Sequence, residues 1–368
     1  MAAALSGCSL MPSFLGGAPD RPKAAELAPN PSLIGVRQAW SARIGAVQFP
    51  LSAQVAGGSV VVASTDGTIT AFDAASGREA WRGSAGSPLD AGVGSDGTVA
   101  AVVTRTGDLV ALQAGQPLWR QKLGAQAYTA PLVAGGRVFV LAGDRSVSGF
   151  DGATGRKLWT QQRPGEPLVL RQGGVLLAVG DTLVAGQGGR LAGLDPLTGA
   201  IRWEAPIGTS RGSNDVERLV DLVGHVSRVG ESVCARAFQA AVGCVDTARG
   251  ALAWTKPANG ADGLSGDDKN VFGAERDGKL VAWRRDNGER AWTVDRLMHR
   301  GLTAPLLIGR SVAVGDEAGF VHLLSREDGS LLNRLTTDGS GIAAAPVLAG
   351  NTLVVVTRNG GVFGFVPQ

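Results

Sequence analysis

The chain has 368 residues, 55 of them Gly, with 44% hydrophobic and 18% charged residues. That is enough apolar surface for a packed core and excludes a disordered chain. The formal net charge is only +3, and Lys and Arg are interleaved with acids rather than clustered, which excludes a nucleic-acid footprint.

Taken in chain order, Leu5-Ser6-Gly7-Cys8 comes first and has the form of a lipobox. Small residues precede a thiol that receives a diacylglyceryl group, and cleavage before it leaves the lipid on a new N-terminus. Residues 1–7 then read as the remnant of an export signal, with its charged and long apolar parts missing. Residues 8–36 read as a lipidated N-terminus and tether, because Pro12, Pro19, Pro22, Pro29 and Pro31 interrupt helix and strand alike. No stretch of about 20 apolar residues follows, so no spanning helix is expected. Two or more acyl chains, each burying about 0.8 kcal/mol per methylene, would hold the chain at a membrane.

Residues 37–368 are organised by a repeat. Ala71-Phe72-Asp73-Ala74-Ala75-Ser76-Gly77, running on to Trp81, is echoed by Gly149-Phe150-Asp151-Gly152-Ala153-Thr154-Gly155 ahead of Trp159. Further copies lead to Trp203 and Trp254, weaker ones to Trp119 and Trp292, and a seventh has Asn333 where the Trp should stand. The period near 40 is that of a four-stranded propeller blade. Within a unit, Val60-Val61-Val62, then Asp66-Gly67, then Ile69 to Phe72 spells strand, hairpin, strand. The last unit ends near Phe365 without a Trp segment, while Trp40 stands alone before the first. The two halves complement one another, so the all-β fold expected is an eight-bladed β-propeller closed by the N-terminal strand joining the last blade. Trp283 falls outside the register and is expected to fill a strand core.

The Ala-x-Asp-x-x-Thr-Gly-x-x-x-Trp pattern resembles the quinoprotein (PQQ) propeller repeat. Lipobox, Pro-rich tether, eight repeats, Leu297–Pro305 and Val314–His322 together resemble the BamB family, lipoprotein subunits of the outer-membrane β-barrel assembly machinery. The resemblance runs from about Cys8 to Val366. It implies a non-enzymatic scaffold, lipidated at Cys8 and held at the periplasmic face of the cell outer membrane. Ser9 after the cysteine agrees with outer-membrane sorting. It implies BamA as partner, through BamA the whole assembly complex, and nascent outer-membrane proteins as further contacts.

Two long intervals point to a site on their own account. Trp159 to Trp203 and, above all, Trp203 to Trp254 exceed the period, and long loops on a rigid scaffold carry function or are tolerated insertions. The resemblance selects the same neighbourhood. It assigns partner binding to Leu168, Leu170 and Arg171, and to Asp221 in Glu217-Arg218-Leu219-Val220-Asp221, with Val223 standing where the family has a second acid. Taken alone, Leu168 and Leu170 also fit alternate positions of a core strand.

Catalytic chemistry finds little support. The rival is a PQQ- and Ca²⁺-dependent dehydrogenase, which shares the repeat but needs clustered oxygen ligands and often adjacent cysteines. No Cys-Cys pair occurs, and His225, His299 and His322 lack metal-ligand spacing. Gly186-Gln187-Gly188-Gly189 reads as a hairpin and not a phosphate loop, and no Gly-x-Ser-x-Gly elbow is present. No cofactor is expected. Cys234 and Cys244 flank a hairpin around Gln239, and spacing does not decide between a cross-strand disulfide and two thiols.

Overall fold

The computed structural model describes residues 22–163, 169–209 and 219–368. Those residues form eight four-stranded antiparallel sheets. Blades 1 to 7 span residues 54–84, 94–122, 132–161, 176–206, 222–257, 264–294 and 306–336. Blade 8 combines residues 347–367 with the N-terminal strand Val36–Arg43, which pairs antiparallel with Gly361–Pro367 and closes the ring. Closure removes the free edges that an open stack of sheets would present.

Local chemistry sets the turns. In blade 1 the Asp66 carboxylate accepts the Thr68 amide at 2.9 Å and the Ser64 hydroxyl at 2.6 Å. Gly67 then supplies the positive φ of 98° that the hairpin requires. At the turn between third and fourth strands of blade 3, Asp151 accepts the amide and hydroxyl of Thr154 at 2.8 and 2.7 Å. Such self-capping by Asp fixes a turn without help from packing.

A β-bulge precedes each register tryptophan in the fourth strand, for example where Ala71 faces Trp81 but Phe72 faces Glu79. The extra residue re-aims the indole across the blade junction. The indole N–H then donates to a main-chain carbonyl in the next blade: Trp119 to Gly152, Trp159 to Pro196, Trp254 to Arg285, Trp292 to Arg326 and Trp40 to Ala74, at 2.7–3.1 Å. The turn glycine of that next blade leaves room for the ring. A Cβ on Gly155 would stand 2.6 Å from Trp119 Cδ2. The repeated Gly and Trp are thus two halves of one contact, made by neighbouring blades.

Blade 5 carries a Cys234–Cys244 disulfide between directly paired strand residues, deciding what spacing left open. Trp283 lies buried in the strand Leu280–Arg284, as expected of a core residue. Residues 25–34 lie against blade 7, with the Ala25 amide donating to Met298 O and the Leu33 amide to Leu332 O. Proline breaks strand pairing there, yet the carbonyls of the segment still find donors, Arg300 for Ala25 and Arg334 for Ala28. Cys8 lies outside the described residues.

Candidate functional site

The ring has two unlike faces. One carries the hairpins between second and third strands together with the connections between blades, and these bond to one another. The Arg105 amide donates to Pro88 O, that of Arg276 to Asn259 O, and that of Glu317 to Arg300 O. This is the loop face. The opposite, turn face carries tight turns such as Asp151–Gly155.

On the loop face the connection from blade 3 to blade 4 is braced by its neighbours. Asp221, just ahead of the strand Leu222–Val229, accepts the Leu170 amide at 2.9 Å through Oδ2 and pairs with Arg145 at 3.3 Å through Oδ1. Its own carbonyl accepts the Phe238 amide from the blade 5 hairpin. The Asp221 carboxylate therefore ties two interblade connections together. Gln172 Nε2 donates to Ala261 O at 2.7 Å, so the same segment reaches the blade 5–6 connection.

Arg171 points the other way. Its guanidinium lies 5.8 Å from the Tyr128 ring centroid and bonds to Asp90 Oδ1 at 2.9 Å, which also receives Arg105 Nε at 3.0 Å. Asp90 is buried, while the Arg171 side chain stays 66% exposed. Two guanidiniums share one carboxylate, so the patch keeps a net positive charge. A cation over an aromatic face is partly pre-oriented before any partner arrives.

Leu170, Arg171 and Asp221 thus come together on one face, with Leu170 half-buried rather than freely exposed. Leu168 lies outside the described residues, as do Glu217 and Arg218. Val223, where the resemblance placed a second acid, is buried in the inner strand of blade 5 opposite Arg236, so that position offers nothing to a partner. Asp90, Tyr128, Arg105, Arg145 and Gln172 went unnoticed in the sequence. They are spread over three successive repeats, and packing of neighbouring blades brings Asp90, Tyr128 and Arg145 to the Leu170–Arg171 segment.

The central channel holds a cavity of about 380 Å³, walled by inner-strand segments of the blades and including Thr129, His225, Asp262 and Ala344. Its wall carries one carboxylate, Asp262, which burial pushes up to about 6 against the pull of Arg236. Burial also holds the His225 imidazole below its ordinary value. A quinone with Ca²⁺ needs several oxygen ligands and stacking groups around it. One protonatable carboxylate does not fit that need, and Cys234–Cys244 is not among the channel-lining residues. Among the described residues no three His, Cys, Asp or Glu side chains converge as a metal set.

A family model described as "Outer membrane protein assembly factor BamB" matches residues 37–89 and 65–294. The chain belongs to the BamB family. The BamB of Burkholderia pseudomallei is 40% identical over 340 residues, 91% of this chain and 89% of that protein. That of Bordetella pertussis is 37% identical over 361 residues, 97% of this chain and 92% of that protein. The crystal structure of BamB from Moraxella catarrhalis superposes with a TM-score of 0.82 at 27% identity, covering 90% of this chain and 99% of that one. Quinohemoprotein alcohol dehydrogenase from Comamonas testosteroni superposes at 0.68 with 16% identity over 91% of this chain and 77% of that one. At that identity the likeness is one of fold alone.

Proposed function

We propose that this chain is a non-enzymatic scaffold of the outer-membrane protein assembly machinery, lipid-anchored through Cys8 at the periplasmic face of the outer membrane. On this reading it docks BamA on the loop face through Leu168, Leu170 and Arg171, with Asp221 holding that segment in place. One observation carries the reading: a single interblade segment is pinned at Leu170 and Gln172 while the guanidinium between them stays exposed on Tyr128. A pinned backbone with an exposed arginine has little left to order on binding, which favours a docking contact. Among the described residues no three His, Cys, Asp or Glu side chains converge as a reactive or metal-holding set.

The roles divide by geometry. Both Asp221 carboxylate oxygens are engaged within the chain, so Asp221 positions the segment rather than touching the partner. Arg171 keeps donors for a partner carboxylate or carbonyl. Nascent outer-membrane chains would then meet the complex through BamA.

Arg171→Glu should abolish co-purification with the periplasmic domains of BamA, weakening the complex by about 30-fold or more, as for an anchor worth about 2 kcal/mol. Its thermal unfolding should fall only slightly and stay cooperative, because Arg105 still pairs with buried Asp90 when the exposed Arg171 is lost. Full recovery of BamA by the folded variant would refute the site.

A further inference from the structure

The N-terminal arm reaches blade 7 by a route that the ring is built to hold. Arg300 Nη1 donates to Ala25 O and Arg334 Nη2 to Ala28 O, both at 2.9 Å. Asn30 Nδ2 donates to Asn333 Oδ1 at 2.9 Å and to Arg334 O at 3.1 Å. Asn333 Nδ2 donates to Ile34 O at 2.7 Å. Leu27 packs against the core between blades 6 and 7, and Ile34 against that between blades 7 and 8.

The two arginines are held in place from behind. Both guanidiniums lie 5.9 Å from the Phe320 ring centroid. Asp316, fully buried, binds Arg300 Nε at 2.7 Å and His322 Nε2 at 3.0 Å. The arginines present fixed donors to main-chain carbonyls, so they grip an extended segment whatever its side chains.

The direction of the segment matters. Ala25 meets Met298, which lies in the blade 6–7 connection on the loop face. Leu33 meets Leu332, near the start of the strand Leu331–Thr336 and so toward the turn face. The chain then reverses and enters Val36–Arg43. Its upstream end therefore leaves the propeller on the loop face.

We infer that residues 25–34 form a strap, seated in a groove made by Arg300, Phe320, Asn333 and Arg334, that delivers the N-terminal arm to the loop face and turns that face toward the anchoring membrane. Seventeen positions separate Cys8 from Ala25, against twenty-eight from Cys8 to Val36. At about 3.4 Å per extended residue the strap shortens the maximum reach from about 95 Å to about 58 Å. The seating stands without the lipid. The membrane-facing half rests on the lipid proposed at Cys8.

Hydrogen exchange on the full chain reads the seating directly. The Ala25 and Leu33 amides should exchange slowly, and Leu27→Asp with Asn30→Ala should abolish that protection while blade amides stay unchanged. Both substitutions lie outside the ring, so the blades still fold. Fast exchange of both amides in the native chain would overturn the strap. For the facing, a dye is placed at Ala318→Cys on the loop face or Ala248→Cys on the turn face of the lipidated full chain. The vesicles carry headgroup-linked quencher. Position 318 should be quenched more strongly, and the difference should vanish in the strap variant. Equal quenching with the strap intact overturns the facing. Failure to bind vesicles at all overturns the facing and the Cys8 lipid together, and exchange still judges the seating. Neither measurement involves BamA, so both stand apart from the Arg171 result.

Discussion

The two junctions that flank blade 8 do the same job with different residues. Between blades 8 and 1, Trp40 is buried and donates its indole N–H to Ala74 O, above a glycine in an intact turn. Between blades 7 and 8, Asn333 donates its amide to Ile34 O. No turn joins the third and fourth strands of blade 8, because Gly361–Pro367 and Val36–Arg43 come from opposite parts of the chain, so blade 7 meets no turn that could receive a tryptophan. An indole needs a continuous turn with a glycine floor, whereas a carboxamide needs only a carbonyl. The position opposite confirms the exchange. Most register tryptophans face Ala or Gly across the sheet, but Asn333 faces Leu323, which fills the space the ring would take. The seventh copy of the repeat thus keeps a side-chain bond across its junction without an indole.

The largest test of this contrast is Trp40→Ala. It removes a buried ring from the junction that closes the circle and should cost about 3–5 kcal/mol in urea unfolding. Asn333→Ala loses hydrogen bonds with little buried area and should cost about 1–2 kcal/mol. Asn333→Trp should not stabilise the protein, because Leu323 and the Ile34 segment occupy the space. Equal losses from the two alanine variants, or a gain from Asn333→Trp, would show that the junctions are not specialised.

How much of this was legible in the sequence follows from the same residues. Blade number, ring closure at Trp40 and the Asp-Gly hairpins were readable because each is a local pattern repeated at a fixed period. The departure at Asn333 was visible as a departure, but its cause was not. The Ile34 carbonyl is nearly the whole chain away, and only the closed ring brings it near. Arg171 and Asp221 were reached through family resemblance. Their partners Asp90, Tyr128 and Arg145 carry no motif, since a salt bridge between blades leaves no spacing signature. In the sequence the prolines of residues 25–34 show only that the segment pairs in no sheet. Proline removes donors, yet the arginines of blade 7 need acceptors, and every residue of the segment has one.

The smallest effect expected is on acid stability, and it separates the intact turns from the open one. Ser76, Thr154 and Arg202 hold the Asp73, Asp151 and Asp195 carboxyls below their ordinary value of 3.8 by hydrogen bonding to the charged form. A group whose pKa is lowered on folding adds stability above its unfolded pKa and loses it as pH falls through the folded value. These turns should therefore weaken below about pH 4, the usual carboxylate range. Blade 8, whose third and fourth strands are joined by no such turn, has no matching carboxylate to lose. Asp151→Asn should lower the urea midpoint at neutral pH, where the charged carboxylate accepts the Thr154 bonds, and the gap from the native protein should close below that pH, flattening the fall. Asn333→Ala should lower the midpoint about equally at both. If Asp151→Asn leaves the acid slope as steep as before, the turn carboxylates do not set it.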